Sequence, residues 1–240
     1  MSYFDGFVIP VPTANRQEFI AHAGQADGVF KDQGATRIVE AWGDDVPKGK
    51  VTDFQSAVQA KEDETVVFSW IEWPDKASRD AVMARSEEWM KDPRMDAEKN
   101  PMPFDGKRMI FGGFDTLVDE GEGGGGYADG YLVPVPEGKK EEYRVLAARM
   151  APVFRDLGAT RVLEAWADDL PDGKVTDFKR AVKAEGGENV VFSFVEWPDK
   201  TTRDAGWAKM MEDHKDGPGD DMPFDGKRMF WGGFRPIVDL

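Results

Sequence analysis

"TVVFSWIEW", residues 65–73, carries apolar side chains on both of its alternating faces: Val66, Phe68 and Trp70 on one, Val67, Ser69, Ile71 and Trp73 on the other. Successive side chains of a strand point to opposite faces, so a strand apolar at both alternations is covered on both sides. The same pattern returns at 189–197 as "NVVFSFVEW". Something in the fold must therefore cover both faces of each of these strands.

Working outward, the whole chain repeats. Asp5-Gly6 answers Asp129-Gly130, an offset of 129 − 5 = 124, and the register holds through "GATRIVEAW" (34–42) against "GATRVLEAW" (158–166) and "GKVTDF" (49–54) against 173–178. By "MPFDGKRM" (102–109 and 222–229) the offset is 222 − 102 = 120, which places a four-residue gap in a loop. Two long copies mark a duplicated domain rather than a solenoid. "GGGG" at 123–126 reads as a flexible tether between them. The expected division is a first repeat at 1–119, a glycine-rich linker at 120–126 and a second repeat at 127–240.

Each copy reads βαββαβ. "YFDGFVIPVP" is a strand that should end at Pro10 and Pro12, and Asn15 with Glu18 resembles a capping box. Phe19, Ala23, Ala26 and Phe30 fall at helical spacing, "ATRIVEAW" is a second strand, and Asp75 caps a second helix before the strand "KRMIFGGFDTLV". This is the ferredoxin-like plan, an antiparallel sheet with helices on one face only. A second copy supplies the missing cover. The expected fold is α+β: two ferredoxin-like units whose antiparallel sheets pack face to face as an intramolecular, pseudo-dimeric barrel, with the linker raising effective concentration.

Composition sets the limits. Hydrophobic residues make up 40% of the 240, enough for a packed core. A net charge of -15 repels nucleic acid and anionic membranes, so neither is an expected partner. There are no cysteines, and "MSYFDGFVIP" has no basic segment leading into an apolar one, so a cytoplasmic location is expected.

"DGF" followed by "PVP", "DDVPKGKVTDF", "VVFSW" and "MPFDGKRMIFGGF" resemble the YbaA-like bacterial proteins, a domain-of-unknown-function family in the dimeric α+β barrel superfamily. The resemblance covers nearly all of both halves and departs in joining two units in one chain. It implies the barrel and brings no substrate, cofactor or catalytic residue. The wider superfamily, which includes cofactor-independent monooxygenases and isomerases, offers analogy of fold alone.

Ile38, Glu40 and Trp42 share one strand face, as do Val162, Glu164 and Trp166. An acid between large apolar neighbours has its pKa raised toward values useful for proton transfer, so Glu40 and Glu164 are the candidate catalytic bases, with Trp42 and Trp166 as walls of a substrate site. The structural alternative sets these glutamates on the rim, or pairs them with Arg108 and Arg228. Those two arginines, beside Lys107 and Lys227, are themselves candidate anion-binding groups for a substrate, or else salt-bridged turn residues. Glu72 and Glu196 are similar acids nearer a turn. His22 aligns with Leu146 and His214 with Met90, so no histidine site is shared, and neither a metal nor a cofactor is expected. The long connection from Gly43 to Glu64 is a candidate mobile cover, and its Asp44, Asp45 and Asp53 match no calcium loop.

Two functions remain. One is a cofactor-independent small-molecule enzyme, monooxygenase- or isomerase-like, using a carboxylate base. The other is a non-catalytic binding or assembly module whose barrel centre is filled by Phe68, Trp70, Phe192 and Phe194. Further self-association of the pseudo-dimer stays open.

Overall fold

The computed structural model describes residues 1–213 and 222–240; His214 and most of the acidic stretch that follows it lie outside them. In the first copy, strands β1 (Tyr3–Pro12), β2 (Arg37–Asp45), β3 (Glu64–Trp73) and β4 (Ile110–Gly121) alternate with helices α1 (Arg16–Asp32), α2 (Phe54–Ala57), α3 (Lys76–Met83) and α4 (Ser86–Trp89). The second copy has β5 (Tyr127–Pro136), β6 (Arg161–Asp169), β7 (Glu188–Trp197) and β8 (Phe230–Asp239), with α5 (Lys140–Asp156), α6 (Phe178–Ala181) and α7 (Lys200–Asp213). Where α7 is one helix, its counterpart is broken into α3 and α4.

The strands close into one antiparallel barrel in the order β1-β3-β2-β8-β5-β7-β6-β4. Each copy contributes a four-stranded sheet, β4-β1-β3-β2 or β8-β5-β7-β6, and the seams are β2 with β8 and β4 with β6. Closure gives every one of these strands a neighbour on both sides. Beyond Val8, β1 has only β3 as neighbour; Pro10 lies in that half-paired stretch and the strand ends at Pro12.

The barrel interior is solid. Phe68 stacks on Phe192 with centroids 4.5 Å apart, and Trp70 on Phe194 at 4.2 Å. Val39, Ala41, Leu163 and Ala165 fill the space around them. A Cβ on Gly6 would lie 2.7 Å from the Phe192 ring and one on Gly130 would lie 2.9 Å from the Phe68 ring, so the Asp-Gly pair of each copy makes room for the opposite copy's aromatic.

One mouth of the barrel is closed by the long connections. α2 and α6 meet there, with Phe54 against Phe68, Phe230 and Phe234, and Phe178 against Phe114. The Thr52 hydroxyl donates to the Ala181 carbonyl and the Thr176 hydroxyl to that of Ala57, both at 2.6 Å. The expected mobile cover is thus a buried plug, because its aromatic belongs to the core. Asp53 begins α2 by accepting from the Ser56 N–H.

At the other end, charges cross between copies. Arg37 donates to both carboxylate oxygens of Glu196 at 2.9 and 2.8 Å, and Arg161 donates to Glu72 at 2.7 Å. Around the sides, Asp169 accepts from Arg79 and Asp168 from Tyr3, while Asp45 accepts from Arg203 and Asp44 from Tyr127. Such pairs fix register more surely than they add stability. Asp44 and Asp45 are clasps, and among the described residues no group of three or more acids or histidines is placed to hold a metal ion.

The glycine run after β4 is fitted rather than loose. Gly121, Gly123, Gly124 and Gly125 have φ of 108, 79, 84 and 144°, a region other residues avoid. The Gly124 N–H donates to Glu196, and a Cβ on Gly125 would strike the Trp197 carbonyl at 2.0 Å. The linker is glycine because of its shape and close contacts.

Among the described residues no helix is long and apolar enough to cross a membrane.

Candidate active site

On β2, Val39 and Ala41 point into the barrel, so Ile38, Glu40 and Trp42 point outward beneath the helices. α1 lies over them, burying Phe19, Ala23 and Asp27, successive positions four apart on one face. Its start differs from the expected capping box: the Asn15 side chain makes no cap and instead donates to the Pro103 carbonyl at 2.9 Å. That bond ties α1 to the segment leading to β4.

Between α1, the outer face of the sheet and this segment lies a cavity of about 110 Å³. Phe7, Phe19, Phe30 and Phe104 line it, and Asp27, Glu40 and His22 are its polar groups. Asp27 and Glu40 are 7% and 6% exposed. Asp27 Oδ2 and Glu40 Oε2 have no hydrogen-bond partner. Burial pushes the Asp27 carboxyl up to about 7. Glu40 is raised well above the usual carboxylate range, first by burial and then by the charge of Asp27, against an opposing hydrogen bond from Ser69. Two acids so placed cannot both ionise readily, so near neutral pH the pair retains a proton.

His22 is held from outside. Asn100 donates through Nδ2 to the His22 and Arg94 carbonyls at 3.2 and 2.8 Å, which turns its Oδ1 toward His22 Nδ1 at 3.0 Å. Nδ1 then carries the proton and Nε2 is left as an acceptor. Burial lowers the pKa of the ring, which favours this neutral form.

The second copy arranges the same place differently. Leu146 stands for His22, Ala151 for Asp27 and Tyr143 for Phe19. The Tyr143 hydroxyl donates to Glu164 at 2.7 Å. Burial raises Glu164 to about 7, against the hydrogen bonds from Tyr143 and Ser193. Tyr131, in the place of Phe7, has a buried hydroxyl without a partner.

The other residues singled out in the sequence lie elsewhere. Trp42 is buried behind Phe19, with Arg16 over its ring, and does not line the cavity; Trp166 carries Lys140 over its face. Arg108 spans both oxygens of Glu64 at 2.6 Å and also binds Asp105, and Arg228 does the same with Glu188 and Asp225. These guanidiniums are committed to carboxylates at the start of β3 and β7 and are not brought to Glu40 or Glu164. Nor do the glutamates sit on the rim. Glu72 and Glu196 are not the wetter pair but buried and matched by arginines of the opposite copy. Asp27 was hidden from sequence reasoning because its counterpart is alanine. Its signal was a carboxylate on the buried stripe that Phe19 and Ala23 define.

The fold and the place of the cavity define a class, the α+β barrel built from paired ferredoxin-like units, here within one chain. The chain belongs to the family described as "Protein of unknown function (DUF1428)", whose model matches residues 2–106 and 126–226. "Uncharacterized protein YbaA" of Escherichia coli K12 is 56% identical over 114 residues, which are 47% of this chain and 97% of that protein; the Shigella flexneri protein of the same name matches equally. Among solved structures, a "Putative monooxygenase" from Fusobacterium nucleatum is similar over 99% of this chain and 93% of its own, with TM-score 0.59 and 10% identity. An "anthrone oxidase-like protein" is similar over 100% and 92%, with TM-score 0.50 and 12% identity. At such identities the likeness is one of fold.

Proposed function

We propose that the first copy carries a cofactor-independent acid–base site for a small molecule, isomerase-like in its chemistry, with Glu40 and Asp27 as the proton-transferring pair. The observation that supports this is a pair of buried carboxyl groups, each with an unpartnered oxygen, on one cavity. With one proton between them, the ionised member takes a proton from the substrate and the neutral member returns one at a second position. His22 lines the same cavity. In the second copy, the hydroxyl of Tyr143 occupies Glu164, which makes that half the weaker candidate.

Size limits the substrate. A cavity of 150 Å³ takes benzene, so about 110 Å³ takes a smaller molecule, or the end of a larger one. A three-ring anthrone exceeds it. The filled barrel centre favours a second reading, a non-catalytic binding or assembly module, since the space between the sheets admits no ligand. The helix–sheet cavity lies outside that space and keeps the enzyme reading ahead.

The test incubates wild-type, Glu40→Gln and Glu164→Gln proteins with a bacterial metabolite extract, followed by mass spectrometry. A small metabolite converted by the wild type and by Glu164→Gln but not by Glu40→Gln supports the reading. Conversion by all three alike, or by none, moves the assignment to the binding module.

A further inference from the structure

The buried acids of this protein have partners almost everywhere. Asp5 is matched by Arg79, Asp129 by Arg203, Glu72 by Arg161 and Glu196 by Arg37. Asp53 and Asp177 accept backbone N–H groups at the starts of α2 and α6. Asp27 and Glu40 stand apart, with no lysine or arginine among the residues that line their cavity. The cation that accompanies the other buried acid pairs is missing here, and a buried carboxylate without one is costly.

The cavity's remaining features are those that receive a cation. Phe7, Phe19, Phe30 and Phe104 give it four aromatic walls, with Phe19 and Phe104 tilted at 57° to one another and His22 edge-on to Phe104. Ring faces carry negative quadrupole charge and attract ammonium groups, most strongly where water is excluded. Its free polar atoms are the unpartnered carboxyl oxygens of Asp27 and Glu40, which accept hydrogen bonds when ionised. A ligand that donates hydrogen bonds and carries positive charge complements all of them.

We infer that the ligand of the first copy's helix–sheet cavity is a small primary or secondary alkylammonium of about five non-hydrogen atoms or fewer, its N–H groups on Asp27 and Glu40 and its carbons against the phenylalanines. This inference rests on the acid–base reading of the same cavity and names its substrate class. The second copy does not share the specificity: Ala151 removes one carboxylate, and the Tyr143 hydroxyl already fills the donor role at Glu164.

Charge coupling follows. The polar groups lining the cavity are Asp27 and His22 from α1 and Glu40 from β2, with Ser69 of β3 hydrogen-bonded to Glu40 and Asn100 to His22; nearby Arg94 is committed to Asp92 and Asp32. A cation favours one ionised acid beside it, so its binding releases the proton of Asp27 while Glu40 keeps its own, and its affinity rises as pH rises through the titration of Asp27.

The experiment is calorimetric titration of the full chain with isopropylammonium, 2-propanol and isobutyrate, similar in size and different in charge. It is run at pH 6 and 7 in buffers of different ionisation enthalpy, which count the protons released. The expected result is saturable binding of isopropylammonium alone, about fivefold tighter at the higher pH, with release of about one proton at pH 6 and about half a proton at pH 7, lost at least tenfold in Asp27→Asn and Glu40→Gln and unchanged in Glu164→Gln. Preference for 2-propanol or isobutyrate, or no saturable ammonium binding, overturns the inference. Carbon-13 NMR titration of the Asp27 and Glu40 carboxyls then separates the two ideas. Raised values without ammonium binding leave the acid–base reading standing, whereas ordinary carboxylate values remove both.

Discussion

The two helix–sheet layers share one backbone plan and reach different electrostatic solutions. Under α1, Glu40 faces a second acid across an open cavity; under α5, Glu164 faces the Tyr143 hydroxyl. Inside the barrel the copies do not diverge in this way, since Phe68 and Phe192 stack on each other and Gly6 and Gly130 accommodate them alike. The contrast has a physical cause. Inside the barrel each residue packs against the other copy, so a change on one side must be answered on the other. The residues that line the cavity at Glu40 all come from the first copy, so a change there needs no answer from the second.

The largest expected effect tests the symmetric half of this contrast. Phe68→Ala and Phe192→Ala should each lower stability by about 3–5 kcal/mol in denaturant titration, since both open a cavity in a filled core. Equal losses sharpen the comparison; a gap well beyond 1 kcal/mol breaks it.

Next comes the asymmetric half. Glu40→Gln should lower conversion of the metabolite found by extract screening at least a hundredfold, equivalent to about 2.7 kcal/mol, whereas Glu164→Gln should alter it less than about threefold. Equal losses would place chemistry in both halves.

An effect of about 3 kcal/mol is also expected from pH. The Glu164 carboxyl, ordinarily near 4.5, is raised in the fold to about 7, so the folded chain holds a proton that the unfolded chain has released. Its contribution to stability is full below about pH 4.5 and is lost as pH rises toward 7. Glu164→Gln removes this dependence, so its melting temperature relative to the wild type should climb across that window and level off above it. A constant difference would mean that Glu164 titrates normally.

The smallest effect concerns one hydrogen bond. Tyr143→Phe should destabilise by about 1 kcal/mol and push Glu164 still higher, because the donor that favours its ionised form is gone. Phe19→Tyr in the first copy is the converse change, and it should weaken isopropylammonium binding by offering Glu40 a donor of its own.

The sequence alone was sufficient for much of the fold. Offset identity exposed the duplication, strand alternation separated Phe68 and Trp70 from Ser69 and Ile71, and the double apolar character of that strand demanded a second sheet. These signals are local and periodic. It also marked Glu40 and Glu164 as acids among large apolar neighbours, and it left open which strand face enters the barrel. Tertiary structure decided that: Val39 and Ala41 go inward, and Glu40 goes under α1. It also decided that Arg108 serves Glu64, that Phe54 plugs the barrel and that Asp27 meets Glu40. Each of these joins residues far apart in the chain, and their charges and cavities exist only once packing brings them together and shuts water out. Periodicity reports which face a residue takes; what waits on that face is settled by the three-dimensional fold.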